Sequence, residues 1–178
     1  MSSNAFVVVL LSLLGVSSLA ACQRVDDSPP PEVSAPTLGQ VQRFAFGTTD
    51  GEEINTENTR GRVTVLLFVA TFDLASQVAA KRLEQVLHAH RPRINAGAVV
   101  MEAAKYAPLA DVFRSSLELS YPVAIADLPT VQQSSTLGEI LSVPTALVLD
   151  AQGRETERKT GNFTVRELEG WLTRAERR

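Results

Sequence analysis

The sequence predicts an α/β domain with a central mixed β-sheet flanked by helices, and three observations predict it. Strand-like and helix-like runs alternate from Phe44 onward. The run Val63–Ala70 is continuously apolar and rich in β-branched residues, which is typical of a strand covered on both faces in a mixed or parallel sheet. With 178 residues, 44% of them hydrophobic and 21% charged, the chain suits one soluble domain with a sizeable core.

The first half of the domain is predicted from local signals. Phe44–Phe46 is a short strand, and the turn Asp50–Gly51 precedes the central strand. Asp73 stands where an N-cap would accept the unpaired amide N–H groups of a first helical turn. We therefore expect a helix that begins near Leu74 and ends at Arg91–Pro92, because proline stops a helix.

The second half repeats the alternation of strand and helix. Its predicted elements are a buried strand at Ala98–Met101, an amphipathic helix from Tyr106 to Leu117, an extended segment at Tyr121–Ile125, a short helix from about Thr130 to Leu137, a strand at Val143–Asp150, a hairpin turn at Ala151–Gly153, and a last helix. The last helix opens with Thr164 followed three residues later by Glu167, which is the pattern of a capping box.

Composition excludes several functions. A formal net charge of -3 and the lack of a basic run leave no electrostatic footprint for nucleic acid. One cysteine cannot form an internal disulfide, a CxxC pair or a cysteine zinc site. His88 and His90 point to different helix faces, and lie about 18 to 21 Å from Ser76 at about 1.5 Å per residue. We predict no metal site and no cofactor.

The N-terminal segment has the pattern of an export signal. Phe6–Ala21 is an apolar run that is short for a spanning helix, and Leu19–Cys22 resembles the bacterial lipoprotein box. The resemblance implies a signal peptide over residues 1–21 and acylation of Cys22, with palmitate among the chains. The alternative is an uncleaved anchor or a chance cysteine.

A Pro- and Ser-rich stretch follows that segment. Residues 22–43 are predicted to be a flexible tether, and residues 44–178 the folded domain. Acyl chains at Cys22 would hold the protein to a membrane of the bacterial envelope, facing the periplasm. Gln23 after the cysteine favours the outer membrane.

Several motifs together resemble those of the TlpA/ResA-like thioredoxins of bacterial envelopes. They are Asp50–Gly51, Gly61–Val63, Leu67–Phe72, Tyr121–Val123, Val143–Thr145, Asp150 with Gly153, and Gly161. The resemblance covers nearly all of residues 44–175, and it implies a thioredoxin-like fold with a cis-proline at Pro144.

The sequence departs from this family at the positions of its catalytic cysteines. Aligned with the family's WCxxC motif, Asp73 takes the place of the attacking cysteine and Ser76 that of the resolving cysteine. Thiol-disulfide exchange needs a thiolate to attack and a second thiol to resolve the mixed disulfide. The protein is therefore expected to be redox-inactive, which favours a protein without enzymatic activity over the disulfide reductase that the resemblance implies.

The leading hypothesis is a binding protein. In the thioredoxin fold, the loop before the cis-proline offers backbone hydrogen bonds to an extended chain. Here that groove would consist of Phe72, Asp73, Leu74, Val143 and Pro144, and would bind an envelope protein or peptide. Three alternatives stay open: Phe72 packs under the loop and the groove binds nothing, the protein is a thiol-disulfide oxidoreductase as its family implies, or it is a structural or assembly factor in a periplasmic complex.

Overall fold

The structure is a computed structural model that describes residues 39–178. Within this range no helix combines the length and the apolar character needed to cross a bilayer. The expected signal peptide, Cys22 and most of the expected tether lie outside the described residues, so those predictions stay predictions.

Seven strands form two sheets. They are β1 (Ala45–Gly47), β2 (Glu53–Asn55), β3 (Val63–Val69), β4 (Ile94–Val100), β5 (Val123–Ile125), β6 (Thr145–Leu149) and β7 (Glu155–Thr160). The main sheet has the order β5-β4-β3-β6-β7, and β1 pairs with β2 in a separate hairpin. Strands β3, β4 and β5 are parallel, whereas β6 is antiparallel to β3 and to β7. The predicted mixed sheet is confirmed.

Helices cover the sheet. They are α1 (Thr56–Thr59), α2 (Leu74–His90), α3 (Pro108–Ser116), α4 (Leu128–Val131) and α5 (Val165–Glu176), with a 3₁₀ turn at Ala104–Tyr106. Helix α2 begins at Leu74, as Asp73 predicts, and α5 carries the predicted capping box between Thr164 and Glu167.

The core lies on both faces of the sheet, and every residue of β3 is buried. On one face, α2, α3 and α5 cover a cluster that includes Leu83, Phe113 and Trp171. On the other face, the β1-β2 hairpin and the segment before β6 cover a second cluster around Phe46 and Leu137. Burial on both faces explains why the β3 sequence shows no polar alternation.

Some predicted boundaries are wrong. Strand β4 begins at Ile94 rather than Ala98. The short helix is Leu128–Val131 rather than Thr130–Leu137, because the Asp127 side chain caps it by accepting a 3.0 Å hydrogen bond from the Thr130 N–H. Gln133 then has a positive φ of 61°, which ends the helical path.

The main sheet has two edges that matter for function. The carboxyl edge is where β3, β4 and β5 end, β6 begins and α2 starts. The amino edge is where β3, β4 and β5 begin and β6 turns into β7. The chain joins the domain at the amino edge, because the Gly39 N–H donates to the Glu155 carbonyl at 2.9 Å and the Gln42 N–H to that of Gly153 at 2.8 Å. Ordered pairing thus starts before Phe44.

Candidate functional site

The N-terminus of α2 carries Asp73 and Ser76, which the sequence motifs align with the two cysteines of WCxxC. Asp73 is the N-cap, and its carboxylate accepts hydrogen bonds from the Ser76 N–H at 2.8 Å and the Ala75 N–H at 3.3 Å. The buried Ser76 hydroxyl donates to Asp73 Oδ2 at 2.7 Å and accepts from the Ala70 N–H at 3.2 Å. The pair joins the end of β3 to the first turn of α2.

This arrangement suits a cap and not a nucleophile. Hydrogen bonds from the Ser76 hydroxyl and N–H, with a weaker one from Ala75, hold the pKa of Asp73 below its usual value. A carboxylate with a lowered pKa is a poor proton acceptor, so it is a weak general base for Ser76. The helix N-terminus, which would stabilise a cysteine thiolate in an oxidoreductase, here stabilises this carboxylate.

The loop before β6 lies beside that helix start. The Val143–Pro144 peptide bond is cis, and the Gly161 N–H donates to the Pro144 carbonyl at 2.8 Å. Because Thr145 pairs with Phe68, continuing the register places Pro144 and Val143 opposite the last residue of β3 and the residue after it. The N–H and carbonyl of Val143 have no hydrogen-bond partner among residues 39–178.

Phe72 and Leu74 are exposed on the surface. Phe72 is 79% exposed, so the alternative that it packs under the loop is wrong. Phe72 lines a groove of about 310 Å³ with Leu109 and Val112 of α3. Leu74 lines a neighbouring groove of about 630 Å³ along α2, which reaches Leu117. These two side chains therefore extend the site from the Val143 loop toward α3.

Exposed apolar side chains concentrate at the carboxyl edge. Eight of the nine large hydrophobic residues that are exposed lie in connections at this edge or in the first turns of helices that start there, and Val41 is the exception. They are Phe72, Leu74, Tyr106, Leu109, Val112, Leu128, Val131 and Leu141. We call this set the apolar edge cluster. The sequence predicts only Phe72 and Leu74 as site residues. The other six could not be predicted, because their common position depends on the order of strands in the sheet.

Acidic groups accompany the apolar edge cluster. Glu102, just after β4, accepts hydrogen bonds through Oε1 from the Thr71 N–H at 2.6 Å and from the Thr71 hydroxyl at 3.0 Å. Its Oε2 is buried and has no partner among residues 39–178. Asp73, Asp127 and Glu139 stand in other connections at this edge. The edge therefore presents apolar and acidic chemistry together.

The histidines lie away from this site. His88 Nε2 is 3.1 Å from Glu84 Oε1, and His90 Nδ1 is 3.1 Å from Arg93 Nη2. Across the part of the chain that the structure describes, no three His, Cys, Asp or Glu side chains group as metal ligands.

The fold is shared with solved thiol-disulfide oxidoreductases. A secreted Mycobacterium tuberculosis disulfide oxidoreductase homologous to E. coli DsbE is 18% identical, with a TM-score of 0.61 over 74% of this chain and 96% of that one. A thiol:disulfide interchange protein from Chlorobium tepidum is 20% identical, with a TM-score of 0.63 over 78% and 97%. A DsbF homologue from Corynebacterium diphtheriae is 14% identical, with a TM-score of 0.66 over 81% and 95%. No protein-family model matches the chain, and no curated protein matches it.

The fold and the site together define a thioredoxin-like protein whose helix α2 starts with an Asp73–Ser76 cap, at the positions that the sequence motifs align with two cysteines. At these identities the likeness establishes the fold, and it confirms the resemblance to thioredoxin-fold oxidoreductases that the sequence motifs indicate. The chain's single cysteine, Cys22, leaves no disulfide pair.

Proposed function

We propose that this chain is a redox-inactive binding protein of the bacterial envelope, held to a membrane by lipid at Cys22. It binds an extended, apolar and basic segment of another envelope protein at the carboxyl edge. The observation that carries the proposal is the apolar edge cluster, which shares the carboxyl edge with unpaired backbone groups of Val143, at the position where the fold's oxidoreductases do their chemistry.

The chemistry of the helix start supports a loss of redox function. A carboxylate and a hydroxyl that hydrogen-bond each other at 2.7 Å cannot attack a disulfide and release a mixed disulfide. The Asp73 carboxylate accepts from the Ala75 and Ser76 N–H groups of the first turn of α2, and the Ser76 hydroxyl accepts from the Ala70 N–H after β3. The site keeps its structural role as a helix start without a sulfur.

The chemistry of the edge supports binding of an extended chain. The N–H and carbonyl of Val143 can pair with the backbone of a partner segment, as in strand addition. Exposed Phe72, Leu74 and Leu141, at 79%, 72% and 79%, supply apolar contacts on either side of that segment. The carboxylates of Asp73 and Glu102 favour basic side chains on the partner.

An envelope location draws support from the sequence and from one similar fold. The apolar run Phe6–Ala21 followed by Cys22 has the order of a lipoprotein signal. One of the similar solved structures is a secreted oxidoreductase. Cys22 acylation, with the outer membrane preferred, is the anchoring arrangement that we propose.

Peptide selection tests the binding proposal. Extended peptides from a display library are selected on the full chain, and their affinity is measured by fluorescence anisotropy. We expect Phe72→Asp to weaken binding at least about tenfold, as for a central interface side chain. Val41→Asp is the matched control, because Val41 is exposed but lies at the amino edge. Equal affinities for the two variants would show that the apolar edge cluster does not bind the peptides.

The competing function is thiol-disulfide exchange, which the similar folds favour. The full chain and the variants Asp73→Cys, Ser76→Cys and the double variant are compared in a disulfide-reduction assay. We expect turnover in the double variant alone, since exchange needs both thiols. Turnover by the unmodified chain would support the oxidoreductase instead. A stable complex of fixed stoichiometry with other envelope proteins would point to the assembly factor.

A further inference from the structure

The amino edge carries a cluster of exposed basic side chains. Seven exposed arginines occupy connections or a helix end at this edge: Arg60, Arg62, Arg91, Arg93, Arg154, Arg177 and Arg178. We call this set the basic edge. Its members come from four separate parts of the sequence, so no basic run is visible in the chain.

The sheet order brings these parts together. Arg60 and Arg62 precede β3, Arg91 and Arg93 precede β4, and Arg154 lies in the turn between β6 and β7. The Gly61 N–H donates to the Ala151 carbonyl at 2.8 Å, which joins the first of these loops to that turn. Helix α5 begins at the carboxyl edge and packs along the sheet, so its last residues also reach the amino edge.

Acidic groups only partly neutralise the basic edge. Glu57 lies 3.7 Å from Arg60, Glu118 is exposed in the connection before β5, and Glu176 stands at the end of α5. Glu52 and Glu53 line a cavity of about 440 Å³ together with Arg62 and Arg91. Asp150 is buried, and its side chain accepts from the Gln152 and Arg154 N–H groups within the turn. The seven arginines outnumber the five exposed glutamates at this edge by two, although the whole chain carries a net charge of -3.

The tether enters the domain at the same edge. Residues 39–42 pair with Gly153–Glu155 beside Arg154. Sixteen residues separate Cys22 from Gly39. Such a segment spans at most about 58 Å when fully extended. An anchor at Cys22 would therefore be joined to the domain at the basic edge, and a tether of this length leaves the orientation of the domain to the contacts that its own surface makes with the bilayer.

We propose that the basic edge docks on anionic phospholipid headgroups of the anchoring membrane and thereby turns the apolar edge cluster toward the periplasm. The orientation rests on the proposed lipid anchor, whereas the headgroup contact rests on the arginines alone. Basic side chains near an anionic surface are attracted over about one Debye length, which is about 8 Å at physiological salt. The carboxyl edge carries Asp73, Glu102, Asp127 and Glu139 beside Lys105 and Arg166, so it has no excess of positive charge to draw it to the same surface.

Energy transfer to the bilayer tests this proposal. The chain is purified with its acyl chains at Cys22, which leave that residue without a free thiol, and is reconstituted into vesicles with dye-labelled headgroups. A single donor dye is attached through Gln152→Cys in the β6-β7 turn or through Leu141→Cys at the carboxyl edge. The vesicles contain phosphatidylcholine alone or with about 30% phosphatidylglycerol, a typical anionic fraction for such tests.

We expect greater transfer from position 152 than from position 141 when phosphatidylglycerol is present. The difference should fade in about 0.5 M NaCl, because salt screens surface charge. In the triple variant Arg62→Glu, Arg93→Glu, Arg154→Glu, the equilibrium constant for docking should fall at least about fivefold for each arginine removed. The control triple variant Lys105→Glu, Lys159→Glu, Arg166→Glu makes the same charge change in the half of the domain at the carboxyl edge, and it should keep the docking.

The outcomes separate the two proposals. The basic-edge proposal would be overturned if an anchored chain showed equal transfer from the two positions, or if the transfer were the same with and without phosphatidylglycerol. Either result would leave the proposed anchor intact. A chain that is not retained by phosphatidylcholine vesicles contradicts the lipid anchor at Cys22. In that case, salt-sensitive pelleting with phosphatidylglycerol vesicles supports the basic edge, and its absence contradicts it.

Discussion

Replacing Asp73 with alanine should destabilise the domain by about 2 kcal/mol. Loss of an N-cap side chain costs about 1 kcal/mol, since amide N–H groups of the first turn lose their acceptor. The Ser76 hydroxyl is fully buried and would lose the acceptor that lies 2.7 Å away, which costs about another 1 kcal/mol. Both interactions use the same carboxylate, so this variant loses both of them and the two costs add.

Two variants serve as comparisons. Asp73→Asn keeps an oxygen that can accept from the Ser76 N–H, and asparagine is itself a good N-cap. We expect it to lose less than half as much stability as Asp73→Ala. Glu169→Ala removes an exposed carboxylate from α5 and should stay within about 0.5 kcal/mol of the unmodified chain.

The contribution of Asp73 should depend on pH in a defined direction. Its pKa in the folded protein is held below the usual value of 3.8, so the unfolded chain binds more protons across that window. The stabilisation by ionised Asp73 is fully present above the usual pKa and is lost as pH falls through the lower, folded pKa. The gap in stability between the unmodified chain and Asp73→Ala should therefore narrow below about pH 4.

Urea unfolding followed by Trp171 fluorescence measures these changes. Trp171 is the only tryptophan, is 7% exposed, and packs against Phe163 at 5.4 Å between ring centroids, so unfolding changes its surroundings. If Asp73→Ala unfolds at the same urea concentration as the unmodified chain, the Asp73–Ser76 pair is not a stabilising cap. A gap that widens in acid would contradict the direction of the pKa shift.

Three other substitutions probe the scaffold by the same urea measurement. A Cβ on Gly97 would lie 2.7 Å from Ile54 Cδ1, so Gly97→Val should cost about 1 to 3 kcal/mol by displacing the β1-β2 hairpin, and an unchanged midpoint would refute that packing. Thr164→Ala removes the capping box of α5 and should lower the free energy of unfolding by about 1 kcal/mol. An unchanged free energy of unfolding would mean that Glu167 alone caps the helix. Leu83→Ala opens a cavity under α2 and should cost about 2 to 5 kcal/mol; a loss under 1 kcal/mol would show that the core closes around the gap.

Features that depend on neighbouring residues could be predicted from the sequence. The unbroken apolar run of β3 indicated a strand buried on both faces, and Asp73 marked the start of α2 to the residue. The spacing of Thr164 and Glu167 gave the start of α5. Each of these signals acts within one turn or one strand, where local chemistry decides the conformation.

Features that depend on the sheet could not be predicted in the same way. Leu141 and Phe72 are 69 residues apart in the chain, and they share an edge because β6 runs antiparallel beside β3. The contact of Glu102 with Thr71 joins the ends of two parallel strands. The short helix was predicted from about Thr130 to Leu137, but α4 begins at Leu128 because Asp127 caps it.

Photocrosslinking from the carboxyl edge tests the central claim most directly. A photoreactive amino acid replaces Phe72, Leu141 or, as a control, Val41 in the full chain, and each variant is irradiated in envelope fractions. The account predicts that positions 72 and 141 capture the same partner protein, and that a peptide selected on the unmodified chain suppresses both adducts. Position 41 should capture no such partner. Adducts that are absent from positions 72 and 141, or equally strong from position 41, would contradict a binding site at the carboxyl edge.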